Sequence, residues 1–130
     1  MIQKWTYWVS TLLLAAMYIA GAVFYLTNIP AAQQGYLSLG YPAYLVPILA
    51  PLKLLGAVAI LSRLNVALSD LAYAGMFYHL LLAASAHINA GDGQFVPAVA
   101  GLVLLLISFF TQNAARAKPS PYGSLALLKK

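Results

Sequence analysis

A single lysine lies inside an otherwise apolar stretch of the chain. From Ala43 to Leu61, every residue except Lys53 is apolar, glycine, proline or tyrosine. At 1.5 Å per residue, Lys53 lies about 15 Å from the start of a helix there, near the middle of a bilayer. Ionisable groups at that depth are costly, face the interior of a bundle, and are candidates for a functional site. The competing interpretation, a lysine that snorkels to the interface, is disfavoured by this depth.

Two more polar side chains are expected at the depth of Lys53. In antiparallel spans, His79 lies about 14 Å beyond Asp70 and Tyr18 about three turns beyond Tyr7, which places both level with the lysine. A packed histidine that donates to a backbone carbonyl is the alternative for His79. A second polar layer is expected nearer one membrane face, and it consists of Tyr25, Asn28, His87, Asn89 and Asp92.

Lys53 has no acid at its own depth. The two acids of the chain, Asp70 and Asp92, fall at opposite membrane ends. Charging both Lys53 and His79 would be unfavourable in a medium of low dielectric constant. Two interpretations stay open: a neutral lysine bonded to Tyr18 or to a backbone carbonyl, or an acceptor from outside the chain, such as a quinone carbonyl, a lipid headgroup or a small anion.

Several other kinds of site are disfavoured. His79 and His87 lie about 12 Å apart along one helix, so they cannot share a metal ion, and haem would need a second chain. No metal site is therefore predicted, and haem is unlikely as a cofactor. The chain has no cysteine, which excludes disulfides and iron–sulfur ligation by its own residues. Nucleophilic triads, paired carboxylates, phosphate-binding glycine loops and nucleic-acid signals are also lacking.

The composition predicts an integral membrane protein that contacts the lipid bilayer. Apolar residues make up 63% and charged residues 7% of the 130 residues, and the mean hydropathy is +0.85. We predict an all-α transmembrane four-helix bundle in residues 1–113, with spans at about 7–27, 43–61, 70–89 and 95–112. Residues 114–130 are predicted to form a basic cytoplasmic tail that lies along the membrane surface.

The connections carry local signals of their own. Residues 28–42 contain Pro30 and Gly35 and predict a loop with one turn of interfacial helix. Ser69 is the predicted N-cap of the third span. Pro47 and Pro51 lack amide hydrogens, so the second span is expected either to border a polar cavity or only to bend.

The distribution of basic residues predicts the orientation. Both termini and the Arg63 connection hold six of the seven lysines and arginines, whereas the two loops on the other side hold none. The positive-inside rule therefore predicts cytoplasmic termini, with residues 28–42 and the turn at Gly91–Gly93 on the outer face.

Four segments, in this order and spacing, resemble the DoxX-like family of small bacterial membrane proteins with four helices. They are Leu39-Gly-Tyr-Pro-Ala-Tyr-Leu45, Lys53-Leu-Leu-Gly56, Leu71-Ala-Tyr-Ala-Gly-Met-Phe-Tyr78, and Ala86-His87 followed by Gly91-Asp92. The resemblance implies a multi-pass protein of the bacterial inner membrane. The family name derives from a subunit of a thiosulfate:quinone oxidoreductase, and other members are placed with membrane oxidoreductase complexes.

The resemblance also implies particular residues. The matching positions include Tyr44 and Tyr73, which we add to the candidate ligand-binding residues Lys53, His79, Tyr18, Tyr25 and His87. The chain departs from the family at His79, where many relatives place an acid or a small polar residue, and at Leu82-Ala83, where they place Thr-Gly.

Two classes of function follow, and neither has a self-contained catalytic constellation. The first is an accessory or quinone-binding subunit of a membrane redox system, in which Lys53, His79 and Tyr18 bind a lipophilic carbonyl compound and His79 or His87 moves protons. The second is a non-enzymatic scaffold or assembly factor, in which loop tyrosines such as Tyr36 and Tyr41 contact a partner membrane protein or another copy of the chain. An ion-coupled carrier is poorly supported without an intramembrane acid.

Overall fold

The computed structural model describes residues 1–123, and these form a bundle of α-helices with no strand. The elements are α1 (Ile2–Thr27), α2 (Ile29–Ser38), α3 (Leu45–Ser62), α4 (Val66–Ala90) and α5 (Val96–Thr111), followed by a 3-10 turn (Gln112–Ala115). Four helices, counting α5 together with its 3-10 extension, are long and apolar enough to cross a membrane. The predicted all-α fold with four spans is confirmed.

The helices α1, α3, α4 and α5 form a ring. Each helix packs against the next one in this order, and α5 packs against α1. α1 packs against α3 and α5, and α4 closes the ring between them. The contact between α3 and α4 is the least extensive of the four. The core comprises side chains such as Leu14, Ile60, Met76 and Leu105. Large apolar side chains such as Leu55 face outward, as expected for helices that cross a bilayer.

α1 and α4 both begin earlier than the sequence predicted. α1 begins at Ile2, and α4 begins at Val66. Asn65 is the N-cap of α4, because its side chain accepts a hydrogen bond of 2.9 Å from the Leu68 amide. The prediction of Ser69 as the cap was wrong, since Ser69 is fully buried one turn inside the helix.

The long connection between the first two spans contains a whole helix rather than one turn. α2 runs for ten residues, begins with a proline in its first turn, and packs against α1 and α3. Its Gln33 side chain donates a hydrogen bond of 3.4 Å to the Ala43 carbonyl. The Ala43 carbonyl precedes Pro47 by four residues and cannot accept a helical hydrogen bond from it, because proline has no amide hydrogen. Pro47 lies in the first turn of α3, where an amide has no helical partner, so only Pro51 interrupts the helix interior.

The first part of the tail packs against the end of the bundle. Asn113 and Ser120 exchange side-chain and backbone hydrogen bonds of 2.9 and 2.8 Å, and Ser120 is buried. Ser120 also donates to Asp70 at 2.7 Å. These contacts hold the tail under α4 as far as Gly123, and the apolar and basic residues 124–130 lie outside the described residues.

Candidate functional site: a lysine and histidine in the middle of the bundle

Lys53, His79 and Tyr18 meet in the middle of the bundle. The Nζ atom of Lys53 lies 3.4 Å from Nε2 of His79, and Nδ1 of the same ring lies 2.8 Å from the Tyr18 hydroxyl. The Tyr18 hydroxyl is also 3.3 Å from the Met76 carbonyl oxygen. The predicted common depth of the three side chains therefore brings them into contact, with the lysine bonded to His79 rather than to Tyr18.

The hydrogen-bond pattern assigns the histidine tautomer when Lys53 is charged. A charged lysine only donates, so Nε2 of His79 accepts and the ring proton lies on Nδ1. Nδ1–H then donates to the Tyr18 oxygen, and the Tyr18 hydroxyl donates to the Met76 carbonyl. Each group has one partner of the correct type, and the ring orientation is fixed from both sides.

Aromatic faces surround the lysine on the side of α1. Its Nζ atom lies 4.8 Å from the centre of the Tyr18 ring and 5.2 Å from that of Tyr25. A Cβ atom at Gly21 would lie 3.7 Å from Nζ, an ordinary van der Waals contact, so the end of the lysine side chain packs directly against this part of α1. Two tyrosine faces favour the positive charge without neutralising it.

An open groove follows the contact between α3 and α4. One cavity of about 360 Å³ is lined by apolar residues with Lys53, Tyr18 and His79. A second cavity of about 480 Å³ extends toward α2 and carries the tyrosines of that end. Leu49, Gly75 and His79 line both cavities, so the two form one seam groove between α3 and α4.

The α2 end of the seam groove is lined by a cluster of tyrosines. The Tyr25 hydroxyl donates to the Tyr36 hydroxyl at 3.0 Å, and the rings of Tyr36 and Tyr41 pack edge to face. Burial and the hydroxyl of Tyr25 raise the pKa of Tyr36 above its usual range. Tyr36 and Tyr41 were expected on a surface that contacts a partner. The glycine and proline pattern of this segment predicted a loop with one turn of helix and not the whole of α2. The inward packing of these tyrosines therefore could not be predicted from it.

His87 pairs with Asp92 at the turn after α4, and its side chain also lines a cavity of about 240 Å³ with Lys53, Tyr18 and His79. Nδ1 of His87 lies 2.7 Å from the Asp92 carboxylate, which also accepts from the Gln94 amide at 2.8 Å. These two hydrogen bonds, the amide first, lower the pKa of Asp92. Asn28 and Asn89 were predicted to belong to the same polar layer as His87 and Asp92. Asn28 bonds instead to Thr27, and Asn89 is exposed, so the residues of this layer do not form one cluster.

Tyr73 and Tyr44 lie outside the lysine site. The Tyr73 hydroxyl lies 2.6 Å from Ser108, and Ser108 lies 2.6 Å from Thr11. Tyr73 precedes His79 by about 9 Å along α4, and its buried cluster lies toward the termini. Tyr44 is 64% exposed at the start of α3. Thr11 and Ser108 were not among the predicted site residues. Each is a polar residue within an apolar span, and this feature could have indicated that they form a pair.

A family model describes most of this chain. The model of the DoxX-like family matches residues 9–111, from the second turn of α1 to the last residue of α5. The chain belongs to the DoxX-like family. The matched region of this DoxX-like protein includes Lys53, His79, Tyr18 and the whole seam groove, and it ends before the tail. No curated protein and no solved structure matches the chain.

Proposed function

We propose that this DoxX-like protein is a lipophile-binding accessory subunit of a membrane redox system, and that its ligand is a quinone-type carbonyl compound. The observation that carries the proposal is the lysine in the middle of the bundle, which borders an open apolar groove. The ligand carbonyl would accept a hydrogen bond from Lys53.

The lysine has donor capacity to spare. An ammonium group has three N–H donors, and within residues 1–123 the only hydrogen-bond partner of Nζ is His79. The distance of 3.4 Å makes that bond a long one. A buried donor without a partner is costly, so a carbonyl oxygen beside Nζ would be favourable.

The groove fits an apolar molecule with one polar head. The two cavities of about 360 and 480 Å³ are within the usual range for small-molecule sites. Apolar side chains such as Leu52, Leu55 and Leu71 line it and are also exposed on the bundle surface. A ligand dissolved in the bilayer can therefore reach Lys53 sideways, between α3 and α4.

A cationic donor beside the carbonyl would also favour reduction of the ligand. Reduction places negative charge on the quinone oxygen, and a preorganised ammonium group stabilises that charge. His79 holds the lysine in place and Tyr18 holds His79. The electron donor would be a partner protein in the same membrane.

We further propose that the end carrying the termini faces the cytoplasm of a bacterial cell. Lys4, Arg63, Arg116 and Lys118 lie at this end, which we call the basic end. The positive-inside rule supports this orientation. The α2 end of the seam groove then opens toward the outer leaflet of the inner membrane.

The scaffold alternative has less surface to use than the sequence indicated. Tyr36 and Tyr41 are partly buried against Tyr25 and each other, and only Tyr44 of the loop tyrosines is exposed. A partner that docks on the loop would therefore meet one tyrosine rather than three.

Replacing the lysine tests the proposal. We expect Lys53→Met to bind a short-chain quinone about 10- to 150-fold more weakly, the loss of one hydrogen bond to a charged group. Binding is measured by quenching of the intrinsic fluorescence of the purified protein in nanodiscs. Lys4→Met, which removes a lysine from the exposed start of α1, is the matched control and should bind as the wild type does. A folded Lys53→Met protein with unchanged affinity would refute the proposal.

A further inference from the structure

A second groove at the basic end is lined by cations. It has a volume of about 630 Å³ and lies between the α3–α4 connection and the segment that follows α5. Arg63, Arg116 and Lys118 line it together with Asn65, Val66 and Ala67. It is separate from the seam groove, and we call it the basic groove.

The positive charge of the basic groove is not neutralised by the described part of the chain. Neither aspartate lines the groove, and the only ion pair among residues 1–123 is His87–Asp92 at the other end. Asp70 follows Ser69, which accepts from Arg116; one oxygen of Asp70 accepts from Ser120 and the other has no hydrogen-bond partner. Three cations therefore line one concave site, and within the described residues none of them forms an ion pair.

The guanidinium groups are held in place and still have donors to offer. Arg63 is in the left-handed region at φ 52°, donates to the Ala115 carbonyl, and stacks 4.5 Å from the Trp8 ring. Arg116 donates to Ser69 and Gln112 at 3.1 and 3.0 Å. Nε of Arg63 and Nη2 of Arg116 are each buried without a hydrogen-bond partner. Buried donors of this kind call for an acceptor.

The first turn of α4 adds backbone donors to the same groove. The first amides of a helix have no acceptor within the helix. The side chain of Asn65 accepts from the Leu68 amide, and the amides of Val66 and Ala67 at the start of α4 remain without a helical acceptor. Free amides and the positive end of the helix dipole attract anions. The arginines and the start of α4 therefore both favour a negatively charged ligand.

The surroundings of the groove match the level of the lipid headgroups. Trp8 lies against Arg63, and tryptophan is typical of the membrane interface. Leu64, between Arg63 and Asn65, is 90% exposed, which is unfavourable in water and favourable against an acyl chain. A lipid would offer both a phosphate to the cations and an acyl chain to Leu64.

We propose that the basic groove binds the phosphate of an anionic phospholipid. Arg63, Arg116 and Lys118 are its charged ligands, and the start of α4 supplies neutral donors. The bound lipid joins the α3–α4 connection to the tail, two segments that otherwise meet through Arg63 and Ala115.

Lipid retention tests this site independently of the quinone site. The full-length protein is exchanged into nanodiscs of phosphatidylcholine with a minor fraction of phosphatidylglycerol, and the lipids that stay bound are identified by native mass spectrometry. We expect the wild type to retain phosphatidylglycerol, and Arg63→Gln and Lys118→Gln each to lower its retention about tenfold, as the loss of a charge-assisted contact predicts. Lys118 is exposed, so its variant keeps the fold.

Two further measurements separate the possible outcomes. Lys4→Gln removes one positive charge outside the groove, and this variant should retain the lipid. An equal loss of lipid in this control would show that the protein attracts anionic lipid through its overall charge and not through a specific site. Inorganic phosphate that displaces phosphatidylglycerol and stabilises the lipid-free protein equally well would identify free phosphate as the ligand. Unchanged lipid retention in a folded Arg63→Gln, Lys118→Gln double variant would overturn the proposal.

Discussion

The chemistry of the bundle centre depends on how one histidine connects a lysine to a tyrosine. His79 offers one ring nitrogen to Lys53 on α3 and the other to Tyr18 on α1. A single side chain of α4 thereby joins three helices at one depth. The histidine gives the lysine an acceptor without adding a negative charge.

The hydroxyl of Tyr18 is expected to stabilise the fold through His79. In Tyr18→Phe, Nδ1 of His79 loses its hydrogen-bond partner, and we expect a decrease of about 1 kcal/mol in the free energy of unfolding, within the range of such bonds in membranes. The measurement is denaturation in mixed detergent micelles. Tyr44→Phe removes an exposed hydroxyl and should change nothing, and equal stability of both variants would show that the bond between Tyr18 and His79 does not stabilise the fold.

The depth of these residues could be predicted from the sequence, but their direction could not. Distance along a helix follows from residue number, so Lys53, His79 and Tyr18 were expected at one level. Tyr73 was assigned to the same site, although it lies about 9 Å nearer the basic end and bonds to Ser108. The rotation of each helix about its axis depends on packing against all its neighbours, and periodicity is weak when every face of a span is apolar.

At the scale of helices, the seam between α3 and α4 differs from the other contacts. Gly75 faces open space, whereas a Cβ atom at Gly101 would lie 2.9 Å from Leu80 and 3.1 Å from Met17. Both glycines are in helix interiors, so they differ only in what surrounds them. The helix ends were predicted less well, because Asn65 and α2 depend on local capping and on the packing of a connection.

Substituting these two glycines by alanine should have different effects. Gly75→Ala should stabilise the protein by up to about 1 kcal/mol, because alanine favours the helix and meets no neighbour. Gly101→Ala should be less favourable than Gly75→Ala by about 1 kcal/mol or more, because the same gain in helix propensity is offset when Leu80 and Met17 must move. Unfolding in mixed micelles measures both, and equal effects would mean that the seam is closed in the membrane.

At the scale of the whole molecule, the even number of candidate spans puts the start of α1 and the end of α5 at one end of the bundle. The described part of the tail and the α3–α4 connection lie there, and α2 covers part of the other end. The two grooves therefore have different surroundings. The basic groove lies at the basic end, whereas the seam groove opens along the side of the bundle.

The orientation can be measured because the chain contains no cysteine. We expect Gln34→Cys, on the exposed face of α2, to react with a membrane-impermeant maleimide added to intact spheroplasts. Ala117→Cys, in the exposed tail, should react only after the membrane is opened. The reverse pattern would show that the basic end faces outward.

The apolar layer between the two polar clusters has a consequence for proton movement. Tyr18 and Thr11 are separated by about 10 Å along α1, and Leu14, Met76 and Leu105 fill the core between their clusters. Among residues 1–123, this layer offers no side-chain donor or acceptor to link them. Protons exchanged by the Lys53–His79 pair therefore have no chain of side-chain hydrogen bonds toward the basic end. A redox reaction at this lysine would then take its protons from the side of this layer that holds α2.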